Sequence, residues 1–262
     1  MFVQEFSKHL KTVRSTLYKT KGKSINALAL KGTNMHDVFQ VAEKFISING
    51  EGRFAGELAV FIRFAGCNLN CSYCDTAWAI PMDCPSELLS LEDIIRYVNL
   101  AGVRRVTLTG GEPLLQESLP DLVAELIGTG HLVEIETNGA VDITPLAALA
   151  DELNLNDEMV ITLDYKCPGS GMEQFMLEDN YDLLAPCDVV KFVVSDINDL
   201  DRARDIIYEY GLTDKCGVYL SAVFDRIKPA EIVEYMKKYK MNRVVHQLQQ
   251  HKYIWDPDLR GV

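Results

Sequence analysis

Nowhere in these 262 residues is there an apolar run of transmembrane length, nor a short apolar stretch followed by a small-residue cleavage site. A cytoplasmic protein with no membrane partner is expected. Internal repeats and low-complexity tracts are also missing, so an array of small units is not the architecture. Basic residues are scarce outside the front of the chain. Residues 1–36 hold seven Lys/Arg against Glu5 alone, a local charge of +6, and the remainder carries −18, from 19 Lys/Arg against 37 Asp/Glu. A body this acidic repels phosphate backbones, which argues against a nucleic-acid partner. Residues 1–37 read as a basic N-terminal extension outside the core, with Met35 close to where a compact domain would begin, and 38–262 as one domain. Disulfide patterning is absent too. Of seven cysteines, Cys84, Cys167, Cys187 and Cys216 are scattered singly. They read as small buried apolar residues in a reducing compartment, and none of them forms a CxxC pair.

What the chain does have is Cys67-Asn68-Leu69-Asn70-Cys71-Ser72-Tyr73-Cys74, three cysteines separated by three and then two residues. Thiolates are the ligands of iron–sulfur clusters, and four of them would close a 4Fe–4S cube. Three leave one iron with an open position, the logic that separates catalytic from structural zinc sites. An open iron beside an electron source can bind a small molecule through amino and carboxylate groups and reduce it. A zinc loop would need a fourth ligand, and the nearest histidines in sequence are His36 and His131.

From residue 40 onward, strand and helix patterns alternate. Strands are predicted at 40–48, 57–65, 105–109, 131–136, 159–164, 189–194, 217–223 and 243–248. Helices are predicted at 91–101, 117–127, from about 144, 198–210 and 229–239. Ser90 opens the first with a capping-box-like start and Gly102 ends it. Asn49-Gly50-Glu51-Gly52 is a turn by composition. Such alternation implies right-handed crossovers and a largely parallel sheet of the α/β class. Polar motifs follow several strands, where such sheets place their sites. They are Thr109-Gly110-Gly111-Glu112-Pro113, Glu136-Thr137-Asn138-Gly139 and Asp164-Tyr165-Lys166-Cys167-Pro168. Each alone would be an ordinary solvated turn; the series is the signal.

The cysteine spacing resembles that of the radical S-adenosylmethionine (SAM) enzymes. Within them the chain is similar to the 7-carboxy-7-deazaguanine synthases of the queuosine pathway. Four stretches carry this: Ser47–Gly52, Phe61–Cys74 with Asp75-Thr76, Thr109–Pro113, and the tail His251–Val262. The resemblance implies a shortened, modified partial (β/α) barrel and a homodimer. It also implies a 4Fe–4S cluster, SAM and Mg²⁺ as cofactors, and an electron donor such as flavodoxin or ferredoxin.

It further implies a reaction. The lyase would convert 6-carboxy-5,6,7,8-tetrahydropterin to 7-carboxy-7-deazaguanine with loss of ammonia, through reductive cleavage of SAM to methionine and a 5′-deoxyadenosyl radical. Carried over by position, Cys67, Cys71 and Cys74 hold the cluster and Thr76 supplies a magnesium ligand, a hard oxygen suited to that ion. Tyr73, Cys74, Asp75, Gly111, Asn138, Asp164, Tyr165 and Lys166 line the SAM side. Ile48, Asn49 and Gly50 meet the pterin edge, Arg63 faces its carboxylate, and Thr109, His251 and Val262 complete the pocket. An arginine suits a carboxylate through its planar fork, although buried arginines also serve structural ion pairs.

Two rival readings differ in chemistry. A glycyl-radical activase shares cluster and SAM, but often has further cysteine pairs and has no use for the 49–52 turn or the tail. A zinc or iron–sulfur module would bind without catalysis.

Overall fold

A computed structural model describes residues 38–262; the basic extension at 1–37 lies outside the described residues. The element order is β1 (Val38–Ile48), β2 (Leu58–Phe64), β3 (Glu87–Ser90), α1 (Leu91–Ala101), β4 (Arg105–Gly110), α2 (Leu119–Gly128), β5 (Leu132–Thr137) and α3 (Thr144–Leu153). Then come β6 (Met159–Tyr165), β7 (Val189–Val194), α4 (Ile197–Glu209), α5 (Leu212–Lys215), β8 (Gly217–Ala222), α6 (Pro229–Tyr239), β9 (Val244–Gln247) and α7 (His251–Ile254). The nine strands form one sheet in the order β3-β1-β2-β4-β5-β6-β7-β8-β9. From β2 through β9 every pairing is parallel, while β1 runs antiparallel to both β2 and β3. The expected largely parallel α/β sheet is what forms.

Local chemistry sets the element ends. At the start of α1 the Ser90 hydroxyl accepts from the Asp93 N–H, and the Asp93 carboxylate accepts from the Ser90 N–H, a reciprocal cap. Gly102 closes the helix with φ at +68°, a left-handed turn that suits glycine. Pro229 opens α6, where its missing N–H costs no helical bond. Three predicted ranges, 91–101, 189–194 and 229–239, match the observed elements, and most others shift by one or two residues. The sequence reading missed β3, a four-residue edge strand, and the short α5 and α7. None is long enough to show a period.

The two faces of the sheet differ in a way that positions the site. One face packs on the helices with buried apolar residues such as Val106, Leu108, Val133, Ile135, Leu163, Val190 and Phe192. Alternate residues point to the other face: Thr107 and Thr109 on β4, Glu134 and Glu136 on β5, Thr162 and Asp164 on β6, and Lys191 on β7. A parallel strand buried on both sides usually reads as continuous apolar sequence. Here the inner face is polar, so the sheet curls around a site rather than a plain core. The 49–57 connection leaves β1 at the start of β2, where Ile48 lies beside Leu58. It then folds inward from that end, and the side chains of Glu134 and Thr162 surround Gly52. The β1–β2 turn is thus a plug in the open barrel, entering from the end opposite the cysteine loop.

Candidate active site

The inner face encloses a cavity of about 400 Å³ between that plug and the loops at the C-terminal ends of the strands. Cys67, Cys71 and Cys74 sit together at one side of it. The Leu69 N–H and the Asn138 carboxamide both donate to Cys67 Sγ, at 3.4 and 3.6 Å. Burial raises the Cys67 thiol, as it does that of Cys71, so their thiolates need a cation to hold them. Three thiols at the cavity, with two N–H donors on Cys67 and no fourth cysteine lining it among the described residues, suit a cluster with one open iron. Among the described residues, no three His, Cys, Asp or Glu side chains converge as a single metal ion requires. Gly111 belongs to this wall. A Cβ there would overlap the Gly66 carbonyl, immediately before Cys67.

Glu112 ties the strand ends together. Its carboxylate, fully buried, accepts from the Leu114 N–H (3.0 Å), the Thr137 hydroxyl (2.8 Å) and the Asn138 N–H (2.7 Å). Burial pushes its pKa up to about 7, against those three donors. Asn138 continues the link, donating to Asn68 Oδ1 at 2.8 Å and accepting from the Ala140 N–H at 2.9 Å. Its amide therefore braces the cysteine loop as well as facing the cavity. Tyr73 borders the cavity and donates its hydroxyl to the Val193 carbonyl at 3.1 Å. Asp75 lies 3.5 Å from the Lys252 ammonium, and Thr76 Oγ1 stands 3.6 Å from Cys74 Sγ.

Asp164 is held by Lys166 at 2.9 Å and Lys191 at 3.3 Å. Burial alone would raise its pKa, yet the two ammonium groups outweigh it and keep Asp164 below the ordinary carboxylate range. Tyr165 departs from the expected wall. Being one residue from Asp164 on a strand, it points the other way, stacks near Phe192 and donates to Glu173 at 2.8 Å. Its side chain does not reach the cavity.

Ile48, Gly50, Arg63, Thr109, His251 and Val262 also border the cavity. Asn49 does not. It is buried, with its N–H bonded to Glu57, its carbonyl to Gly56 and its Oδ1 to Thr107, so it shapes the turn from behind. Arg63 donates its Nε to Glu43 at 2.8 Å, which places the structural ion pair and the cavity-facing arginine in one residue. Burial lowers the His251 pKa, keeping the ring neutral, and the ring lies against Gly50 where a Cβ would overlap it. The tail folds back on the segment after the cysteines, with Lys252 donating to the Pro257 carbonyl at 2.9 Å and Arg260 stacked 4.2 Å from the Trp78 ring.

Sequence reasoning missed Glu43, Glu51, Glu136 and Lys191 as site residues. Lys191 had a readable signal, a single cation inside Val189-Val190-Lys191-Phe192-Val193-Val194. Glu136 had one also, the alternation Val133-Glu134-Ile135-Glu136. Of the lone cysteines, Cys84 and Cys167 are buried as expected, while Cys187 and Cys216 are half-buried.

A curled parallel sheet with three cysteines after its first parallel strand defines a radical SAM protein. Residues 61–165 match the Radical SAM superfamily, whose members imply a 4Fe–4S cluster and SAM. The 7-carboxy-7-deazaguanine synthase of Clostridium acetobutylicum is 50% identical over 225 residues, 86% of this chain and 99% of that one. The enzyme of that name from Koribacter versatilis is 33% identical over 238 residues, 85% of this chain and 100% of that one. The chain belongs to the 7-carboxy-7-deazaguanine synthase family. The crystal structure of QueE from Escherichia coli shares the fold, with a TM-score of 0.63 at 22% identity over 80% of this chain and 94% of that one.

Proposed function

We propose that this chain is a radical SAM lyase that converts 6-carboxy-5,6,7,8-tetrahydropterin to 7-carboxy-7-deazaguanine with release of ammonia. The observation that carries the reading is the cavity itself, which the three-cysteine loop lines together with Ile48, Gly50 and Glu51 of the inward-folded turn, Arg63 and His251. Cys67, Cys71 and Cys74 would hold the cluster, which with SAM supplies the radical that takes hydrogen from the substrate. The chain's own residues orient the reactants and exclude water. Tyr73, Asp75, Gly111, Asn138, Asp164 and Lys166 form the SAM side, and Tyr165 contributes backbone alone. Thr76 Oγ1 is the oxygen offered to Mg²⁺, whose remaining positions would be filled by water and substrate oxygens.

On the pterin side, Arg63 presents the guanidinium edge that Glu43 leaves free to the substrate carboxylate. Ile48 and Gly50 face the ring edge, with Thr109, the neutral His251 ring and Val262 around it. The half-buried Glu136 carboxylate, which lines the cavity, suits the N–H donors of a pterin, a role sequence reasoning does not assign. We place the protein in the cytoplasm as a homodimer fed by a flavodoxin or ferredoxin. Among the described residues no helix is long and apolar enough to cross a membrane.

Anaerobically reconstituted and reduced protein, given SAM and the carboxypterin, tests the reading against a glycyl-radical activase. A deazaguanine product supports it; SAM cleavage that ignores the pterin contradicts it.

A further inference from the structure

Lys191 is the cation that the proposed roles leave unexplained. It lies mid-strand on β7 among apolar residues and is only 4% exposed. Desolvating an ammonium is costly unless it is paired. Its partners come from two separate parts of the site. Nζ lies 2.7 Å from Glu51 Oε1 in the β1–β2 plug, 140 residues earlier, and 3.3 Å from Asp164 Oδ1 at the end of β6. Glu136, at the end of β5, also feels its charge. Asp164 is in turn bound to Lys166. A chain of contacts, Glu51–Lys191–Asp164–Lys166, therefore crosses the cavity from the turn that faces the pterin to the wall that faces SAM. Glu51 Oε2 is buried with no partner, so Lys191, with a longer 3.4 Å contact from Gln249, is what holds this carboxylate.

We propose that Lys191 is a positioning residue that ties the substrate turn to the SAM wall, so that each ligand binds more tightly when the other is present. Burial opposes the Lys191 charge, yet Asp164, Glu51 and Glu136 keep it protonated. Either ligand, by ordering one carboxylate, fixes the ammonium and with it the other carboxylate. The coupling is reciprocal by thermodynamic necessity. This inference rests on the assignment of pterin and SAM to the two sides of the cavity.

The test uses the full chain, anaerobically reconstituted, and measures the SAM dissociation constant with and without saturating 6-carboxypterin, an aromatic analogue that does not react. In the unmodified protein the pterin tightens SAM binding about five-fold or more, the ordinary range for coupled sites. Lys191→Met abolishes that factor, and Lys191→Arg, which keeps the charge, restores part of it. Glu51→Gln, which leaves the Lys191–Asp164 contact in place, lowers the factor as well and serves if Lys191→Met does not fold. Retention of the full factor in a folded Lys191→Met or Glu51→Gln protein with normal iron content overturns the proposal, as does absence of coupling in the unmodified protein. A failure of the functional reading is distinct, since it appears as no deazaguanine product from the unmodified enzyme.

Discussion

Gln247 and Gly52 exchange both of their polar groups. The carboxamide oxygen of Gln247 accepts from the Gly52 N–H at 2.8 Å, and its Nε2 donates to the Gly52 carbonyl at 2.8 Å. The last strand of the sheet thereby grips the turn that leaves the first, while the Gln250 N–H holds the Gly50 carbonyl at 2.8 Å. Replacing Gln247 with Ala removes two bonds worth about 1 kcal/mol each. Denaturant unfolding should show a loss of about 2 kcal/mol, and KM for the pterin should rise more than that for SAM.

Two glycines should respond differently to Ala. At Gly111 the new methyl meets the backbone of Gly66 and Cys67, which cannot give way. The cost lies at or above the top of the ~1–3 kcal/mol range for overpacking, and iron loading and SAM binding fall together. At Gly50 the nearest atoms it meets belong to the His251 side chain rather than to backbone. There the expected change is near the bottom of that range, with weaker pterin binding and normal iron content. Iron assay and SAM binding on both variants decide this.

The pH dependence of stability should carry a mark of Glu134. Burial raises its pKa to about 8, with the neighbouring Glu136 carboxylate next in effect; Thr162 donates to Oε1, and Oε2 has no partner. Because the folded value exceeds the unfolded one, the folded chain keeps this proton where the unfolded chain loses it. The contribution is full below about pH 4.5 and is lost as pH rises through about 8. Glu134→Gln should flatten that part of the profile in thermal melts between pH 5 and 9.

Arg63 is predicted to bind substrate with the edge of its guanidinium that Glu43 does not occupy. Lysine supplies charge without the fork. Arg63→Lys should raise KM for the pterin by roughly 10- to 100-fold, the value of a charged hydrogen bond, with SAM affinity unchanged. An unaltered pterin KM would assign Arg63 to the ion pair alone.

Much of this was readable in the sequence, for identifiable reasons. The long strands and helices announced themselves by period and by caps such as Ser90 and Gly102, and the three-cysteine loop by spacing. The inward fold of the 49–57 turn was not readable, because it depends on Gln247 and Lys191 reaching it from strands nearly 200 and 140 residues away. The family resemblance carries Tyr165 to the SAM side by position, and position alone does not say which way a side chain points, whereas a strand sends neighbours to opposite faces. Glu51, Glu134 and Lys191 lie far apart in sequence, so only the fold brings them together on the inner face.

The most direct test of the whole account is a single anaerobic turnover experiment counting iron per chain, SAM consumed and 7-carboxy-7-deazaguanine formed, beside a Cys71→Ala control. The account predicts about four irons per chain and pterin-dependent product from the unmodified protein, with both lost in the control. A fully iron-loaded protein that forms no product, or a Cys71→Ala protein that still does, would contradict it.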